Sequence, residues 1–308
     1  MNSLTVENLE GRSSTIDGSK LEGLASQVSG RLLSAGTAGY DEARSIWNAM
    51  IDKKPALIVE CQSTQDVVAA VKFAQANGLY ASVRGGGHNI AGKALCDGGM
   101  LIDLSPMKTV TVDAGKRTAV SGPGATLADV DAATQAHGLA LPVGINSTTG
   151  IAGLTLGGGF GWISRSHGLT IDNLVSAQVV TAQGEVVTAS ETENPDLFWA
   201  IRGGGGNFGV VTSFVFRLHP VGPEVLSGLI VYPFAQAADV IKQYRELAKK
   251  ADDKTTVWMV ARKAPPLPFL PEDVHGTDIL VLAAMYCGDM AEGEKALAPY
   301  RAIGKQIA

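Results

Sequence analysis

Sixteen of this chain's 37 glycines fall within only 34 residues, at positions 84–92, 144–161 and 203–209. Runs without Cβ atoms serve where a backbone must approach something closely or turn through positive φ, and here that need arises three times. The chain has 308 residues, 45% apolar and 18% charged, so the glycine belongs to a folded protein and not to a disordered or collagen-like one. Its length is that of roughly two domains with ample core.

Several classes drop out on composition. The longest apolar run, Ile279 to Cys287, is far short of the ~20 residues of a membrane span. The opening stretch MNSLTVENLEGRSS has no apolar h-region, so no secretory signal is read and a cytoplasmic protein is expected. Cys61, Cys96 and Cys287 are too few and too scattered for a disulfide framework or a zinc site, and no metal is expected. A net charge of −5 without a basic stretch argues against nucleic acid as a partner.

Residues 1–50 are polar and weakly periodic, and read as an N-terminal lead-in draped over the main domain. Ala56–Glu60 is a short apolar run typical of a buried strand; Ser63 or Thr64 then caps a helix carrying Val67, Val68, Val71, Phe73 and Ala74, which Gly78 ends. Tyr80–Arg84 is the next strand and delivers the chain into the first glycine cluster. Short strands follow around 100–104, 109–113 and 118–122, then a helix from about Thr126 to His137. Gln183-Gly184 splits an alternating stretch into a hairpin, and Asn194-Pro195 opens a short helix before the third cluster. Beyond Pro220 the glycine thins out, and an α+β domain with an antiparallel sheet is predicted. The expected divisions are 1–50, 51–222 and 223–308, the last a partial substrate domain lacking a C-terminal portion.

Glycine clusters at strand ends let backbone N–H groups point at a phosphate. A Walker motif is missing, because Gly92-Lys93 is followed by Ala94. Gly204, Gly206 and Gly209 have the G-x-G-x-x-G spacing, but they follow a predicted helix and open a strand, the reverse of a Rossmann turn. Among the five histidines only His88 sits inside a glycine cluster, where its ring would face whatever the loop holds. No G-x-S-x-G elbow of a hydrolase is present.

Three blocks, Ser82–Gly92, Gly144–Ala177 and Asn194–Pro220, together resemble the flavin domain of the vanillyl-alcohol oxidase (PCMH) type, in its berberine-bridge-enzyme-like branch near the 6-hydroxy-D-nicotine oxidases. The resemblance implies an α+β fold: an FAD-binding domain of two α/β subdomains, followed by an incomplete substrate domain. It also implies that FAD is bonded covalently to His88. Arg84, Gly85, Gly86, Gly87, Asn89 and Gly92 would then hold the diphosphate. Gly144, Thr148, Thr149, Gly150 and Gly153 would run along the diphosphate and isoalloxazine edge, with Gly158 and Gly161 in the following turn. Asp172 and Asn173 would continue around the cofactor, and Gly209 with Val210 would approach the adenine-ribose end. In relatives with two covalent links the second comes from a cysteine where this chain has Asn146, so a single link is expected.

The activity implied is that of an oxidase: hydride passes from a C–H bond beside an alcohol or amine to flavin N5, and O2 reoxidises the flavin to give H2O2. The partners are thus a small-molecule substrate and O2. A flavin-binding but catalytically incomplete fragment, or a dehydrogenase with another acceptor, are the alternatives. No catalytic base is assigned; Tyr232, Trp258 and Tyr286 fall on predicted substrate-domain strands, where core packing accounts for them.

Overall fold

The computed structural model describes residues 2–308, in two compact units. The first runs up to Gly161 and resumes from Leu169 to His219; the second comprises Trp162–Gly168 and Pro220–Ala308.

In the first unit, the apolar run after Pro55 forms the strand Leu57–Glu60, parallel to Met100–Asp103, which is in turn parallel to Ala81–Arg84. Leu32–Leu33 adds an antiparallel edge. Met100–Asp103 lies inside this four-stranded sheet and is buried at every position, as a parallel strand covered on both faces should be. The helix Thr64–Ala76 joins the first two parallel strands in sequence. Ser63 is its cap, accepting from the Asp66 amide, and Val67, Ala70, Val71 and Ala74 are the buried face. Complete burial of a side chain such as Val67 contributes ~1.5–3 kcal/mol, so this face fixes the helix on the sheet.

The second sheet of this unit is antiparallel throughout, in the order Val186–Ser190, Leu174–Val180, Val210–Arg217, Thr118–Ser121, Val110–Asp113. Phe214 and Phe216, two apart on one strand, point to the same side and are fully buried with ring centroids 5.7 Å apart. The predicted hairpin around Gln183-Gly184 is present, with Ala177 opposite Ala189 and Gly184 at φ 73°. Gly204, Gly206 and Gly209 lie between the helix Pro195–Ile201 and the strand Val210–Arg217, so their spacing is not a Rossmann turn.

Residues 2–50 are part of the first unit. Leu4–Glu7 pairs with Ser13–Ile16, the helix Gly18–Ala25 follows, and Val6, Ile16, Leu21 and Leu24 enter the core beneath the helix Thr64–Ala76. Their apolar residues are spaced across short elements, too sparsely to register as a period.

The second unit has a three-stranded antiparallel sheet, ordered Leu226–Pro233, Asp278–Tyr286, Thr255–Lys263. Helices Ala237–Ala248 and Met290–Arg301 cover one face, where Tyr232, Val240, Leu282, Tyr286, Leu297 and Tyr300 pack together. Tyr232 and Tyr286 are therefore core residues, while Trp258 stacks on Trp162 at 4.2 Å. No helix among the described residues is long and apolar enough to cross a membrane.

Candidate functional site

The strand Ala81–Arg84 alternates exposed and buried positions, so Ser82 and Arg84 point inward and the chain then enters Gly85–Gly87. Arg84 stands opposite Asp103 in the sheet register. Its Nε and Nη2 donate to the two carboxylate oxygens of Asp103 at 3.1 and 2.6 Å, and its Nη1 donates to the carbonyls of Ala43 and Ser45. With its charge matched by Asp103, this buried guanidinium anchors the Ala43–Ser45 segment to the root of the loop.

Two glycine clusters meet backbone to backbone. A Cβ on Gly86 would lie 2.4 Å from the Gly150 Cα, and one on Gly150 would lie 2.5 Å from the Gly86 nitrogen. Gly85 is similarly pressed on the Pro123 carbonyl, at 2.8 Å. Glycine at these places is required by the approach itself.

Beside this contact lies a cavity of about 670 Å³, lined by Gly85, Gly86, Gly87, Lys108, Thr126 and Asp129 among others. Glu60, Arg84 and Asp103, the last residues of the three parallel strands, also line it. It therefore opens at the carboxyl ends of a parallel sheet, where α/β folds bind ligands. Three of its acids are engaged: Glu60 with Arg31 at 2.6 Å, Asp103 with Arg84, and Asp129 in the capping box of Thr126. Among the described residues the amides of Gly86, Gly87 and His88 donate to no carbonyl. Consecutive undonated amides beside a cavity of small-molecule size fit the diphosphate of a dinucleotide cofactor.

His88 follows the three glycines and is fixed from two sides. Trp47 stacks on its ring, with centroids 5.3 Å apart and planes 22° from parallel. The Thr148 hydroxyl meets its Nε2 at 2.9 Å. The clamp is reinforced along the chain, because the Trp47 amide donates to the Gly87 carbonyl at 3.1 Å and the Asn48 side chain donates to the Ile90 carbonyl at 2.9 Å. Partial burial holds His88 below the ordinary imidazole pKa, favouring the neutral ring.

The remaining residues singled out from sequence separate into three groups. Thr148, Thr149 and Gly150 come to the His88 loop, and the Thr149 carbonyl also accepts from Leu127. Asn89 closes the loop's far turn by accepting from the Lys93 amide, and Gly92, at φ 67°, packs on Ile51. Gly144, Gly158 and Gly161 shape the neighbouring turn: a Cβ on Gly161 would lie 1.8 Å from the Val143 carbonyl oxygen, and Gly158 has φ 113°. Gly153 lies within the helix Ile151–Leu156 with open space where its Cβ would be.

Asp172, Asn173, Gly209 and Val210 have structural partners of their own. Asp172 caps the turn at the Leu169 amide and lies 3.6 Å from Arg202. Asn173 is buried, donates to the Leu169 carbonyl and meets His219 Nε2 at 2.6 Å. Gly209 has φ 139° with its Cβ position 2.6 Å from the Val180 carbonyl oxygen, and Val210 pairs with Val180. Sequence reasoning missed Trp47, Asp103, Lys108 and Asp129. The only signal for Trp47 was a lone aromatic in the short stretch Arg44–Asn48.

A strand-end glycine loop with undonated amides, a cavity at the sheet's carboxyl edge and a fixed histidine define a nucleotide-cofactor-binding domain. Residues 55–190 match the family model described as FAD binding domain. The (R)-6-hydroxynicotine oxidase of Paenarthrobacter nicotinovorans is 33% identical over 283 residues, covering 91% of this chain and 60% of that protein. The xylooligosaccharide oxidase of Thermothelomyces thermophilus is 40% identical over 206 residues, covering 66% and 41%. The structure of the BBE-like 1 protein of Physcomitrella patens superposes with a TM-score of 0.82 at 28% identity, covering 93% of this chain and 60% of that one. Residues 55–190 thus carry an FAD-binding domain, and the chain is similar in sequence and fold to flavoproteins of the vanillyl-alcohol oxidase type. It spans 41–60% of the length of these three relatives.

Proposed function

We propose that this chain is the flavin-binding part of an FAD-dependent oxidase acting on a small molecule at a C–H bond beside an alcohol or amine, with O2 as electron acceptor and H2O2 as product. Bound FAD would supply the two-electron acceptor. The observation that carries the reading is the placement of His88, held from two sides by Trp47 and Thr148, at the end of the Gly85–Gly87 loop that lines the cavity. The undonated amides of Gly86, Gly87 and His88 would bind the diphosphate, and Lys108 would add positive charge at the cavity wall. Arg84 and Asp103 would keep the loop's root rigid. His88 would carry the single covalent bond to the flavin, since position 146 is an asparagine and an amide forms no thioether.

Acid precipitation tests the linkage. Flavin absorbance should stay with the precipitated wild-type protein and pass to the supernatant from His88→Ala. Release from the wild type would overturn the covalent link, and an absence of peroxide on turnover with candidate amines and alcohols would overturn the oxidase reading.

A further inference from the structure

The apolar run Ile279 to Cys287 supplies most of the central strand of the second unit's sheet, and from Ile279 to Tyr286 every residue is buried except Ala283, which is half-buried. The two helices account for burial on one face. On the other face the register sets side chains in rows across the strands: Leu229 beside Ala283, Val231 beside Val281 and Val260, and Ile279 beside Arg262. Cover here comes from the connection 264–277, between the strands Thr255–Lys263 and Asp278–Tyr286, whose Ala264 and Leu270 pack on Val231, Ile279 and Val281. Between this loop and the sheet remains a cavity of about 130 Å³, with Ala283 on its floor and Leu267 and Phe269 on its loop side. That is close to the ~150 Å³ at which an apolar cavity takes up benzene.

The loop is stiff. Prolines at 265, 266, 268 and 271 fix φ along it, so little chain entropy is left to lose on taking up a guest. The Ala264 amide donates to the Thr277 carbonyl at 2.9 Å, and the Gly276 amide donates to the Ala264 carbonyl at 2.8 Å, which pins its base. The mouth is open, with Leu229 and Phe269 50% and 51% exposed. Arg262 is the one charged residue of the lining. Its neighbour Lys263 is paired with Asp278 at 2.8 Å, whereas Arg262 has no carboxylate partner among the described residues and donates to the Lys263 carbonyl at 3.3 Å. An apolar slot with an unmatched guanidinium at its rim is complementary to an anion carried on a ring.

We propose that this cavity binds a small aromatic carboxylate, its ring seated between the sheet and Phe269 and its carboxylate on Arg262. The site lies wholly within the second unit, and the proposal does not depend on the flavin reading.

Benzoate is the probe, titrated into the full chain carrying isotope-labelled methyl groups. Methyl shifts at Val260, Leu267, Ile279 and Val281 should saturate as a single site. Benzylamine, with the charge reversed on the same ring, and acetate, with no ring, should each bind about tenfold more weakly or worse. Arg262→Gln, at an exposed position, should weaken benzoate about tenfold and leave the neutral benzyl alcohol unchanged. Ala283→Leu, which fills the floor, should weaken benzoate and benzyl alcohol alike. Shifts confined to first-unit methyls such as those of Ile46 and Ile51, equal affinity for benzoate and benzylamine, undiminished benzoate binding in Arg262→Gln, or no saturable shift up to about 10 mM would each overturn the site. None of these outcomes bears on flavin retention or peroxide production, so the two readings stand or fall separately.

Discussion

Trp47 lies over the ring of His88, 41 positions later in the chain, with centroids 5.3 Å apart and planes 22° from parallel. The tryptophan is 58% exposed, so its contribution to the core is small and its contact with His88 is its main packing role. Aromatic pairs of this kind are worth ~0.5–1.5 kcal/mol beyond burial, so Trp47→Ala should slow covalent flavin incorporation by about 2- to 12-fold, while the unfolding midpoint shifts little. A time course of acid-stable flavin in Trp47→Ala and Trp47→Phe checks it, with the phenylalanine variant expected near wild type.

The Arg84–Asp103 pair should be the most sensitive polar contact in the first unit. Its side chains are 9% and 1% exposed, and removing one partner strands the other charge in the interior. Arg84→Ala is expected to destabilise by ~3–5 kcal/mol, and the double variant Arg84→Met with Asp103→Leu by less than that single change. Urea unfolding of the three proteins measures both effects; additive losses would contradict the argument.

Glycines that look alike in sequence should part company on substitution. Gly86→Ala puts a methyl 2.4 Å from the Gly150 backbone, so flavin retention and fold stability should both fall, whereas Gly153→Ala meets open space inside a helix. By helix propensity Gly153→Ala should raise stability by ~0.5–1 kcal/mol. Thermal unfolding of the two variants side by side, with flavin content after gel filtration, provides the comparison.

The neutral ring of His88 is the nucleophile in the proposed attachment, and protonation removes its lone pair. The rate should therefore fall as pH falls. Because burial lowers the pKa of His88, the fall should come below the ordinary value of ~6.5, with a plateau above it. Initial rates of acid-stable flavin formation across a pH series decide this; a midpoint above ~6.5 would contradict the burial argument.

Asp66 should dominate the acid limb of stability. Burial by itself pushes its carboxyl pKa up, but donors from the Gln62 amide at 2.8 Å, the Ser29 amide at 3.2 Å and the Ser63 hydroxyl at 2.9 Å outweigh it and hold the value down. A depressed pKa gives stability that is present above the unfolded value of ~3.9 and is lost as pH falls through the folded value. The difference in urea midpoint between wild type and Asp66→Asn should thus be largest near neutrality and shrink below pH ~4.

Much of the molecule was legible in the chain because its signals are local. The apolar run at Leu57–Glu60, the helix after Ser63, the hairpin around Gly184 and the glycine loop leading to His88 each depend on neighbours within a few residues. For the same reason the order of helix and strand around Gly204–Gly209 was enough to set aside a Rossmann turn. Residues 1–50 were harder, since their apolar side chains reach the core from short elements with no sustained period.

By itself, then, the sequence determined where the backbone must be bare, which strand delivers it there and which histidine the loop presents. Only the tertiary structure decided what those parts meet. It paired Arg84 with Asp103, set Trp47 on one side of His88, and brought Thr148 to the other side from 60 residues away. Propensity and periodicity record each residue's immediate neighbours, whereas the charge and access of a side chain depend on atoms that only folding brings near. That is why the loop could be read in advance, and the contacts around its histidine could not.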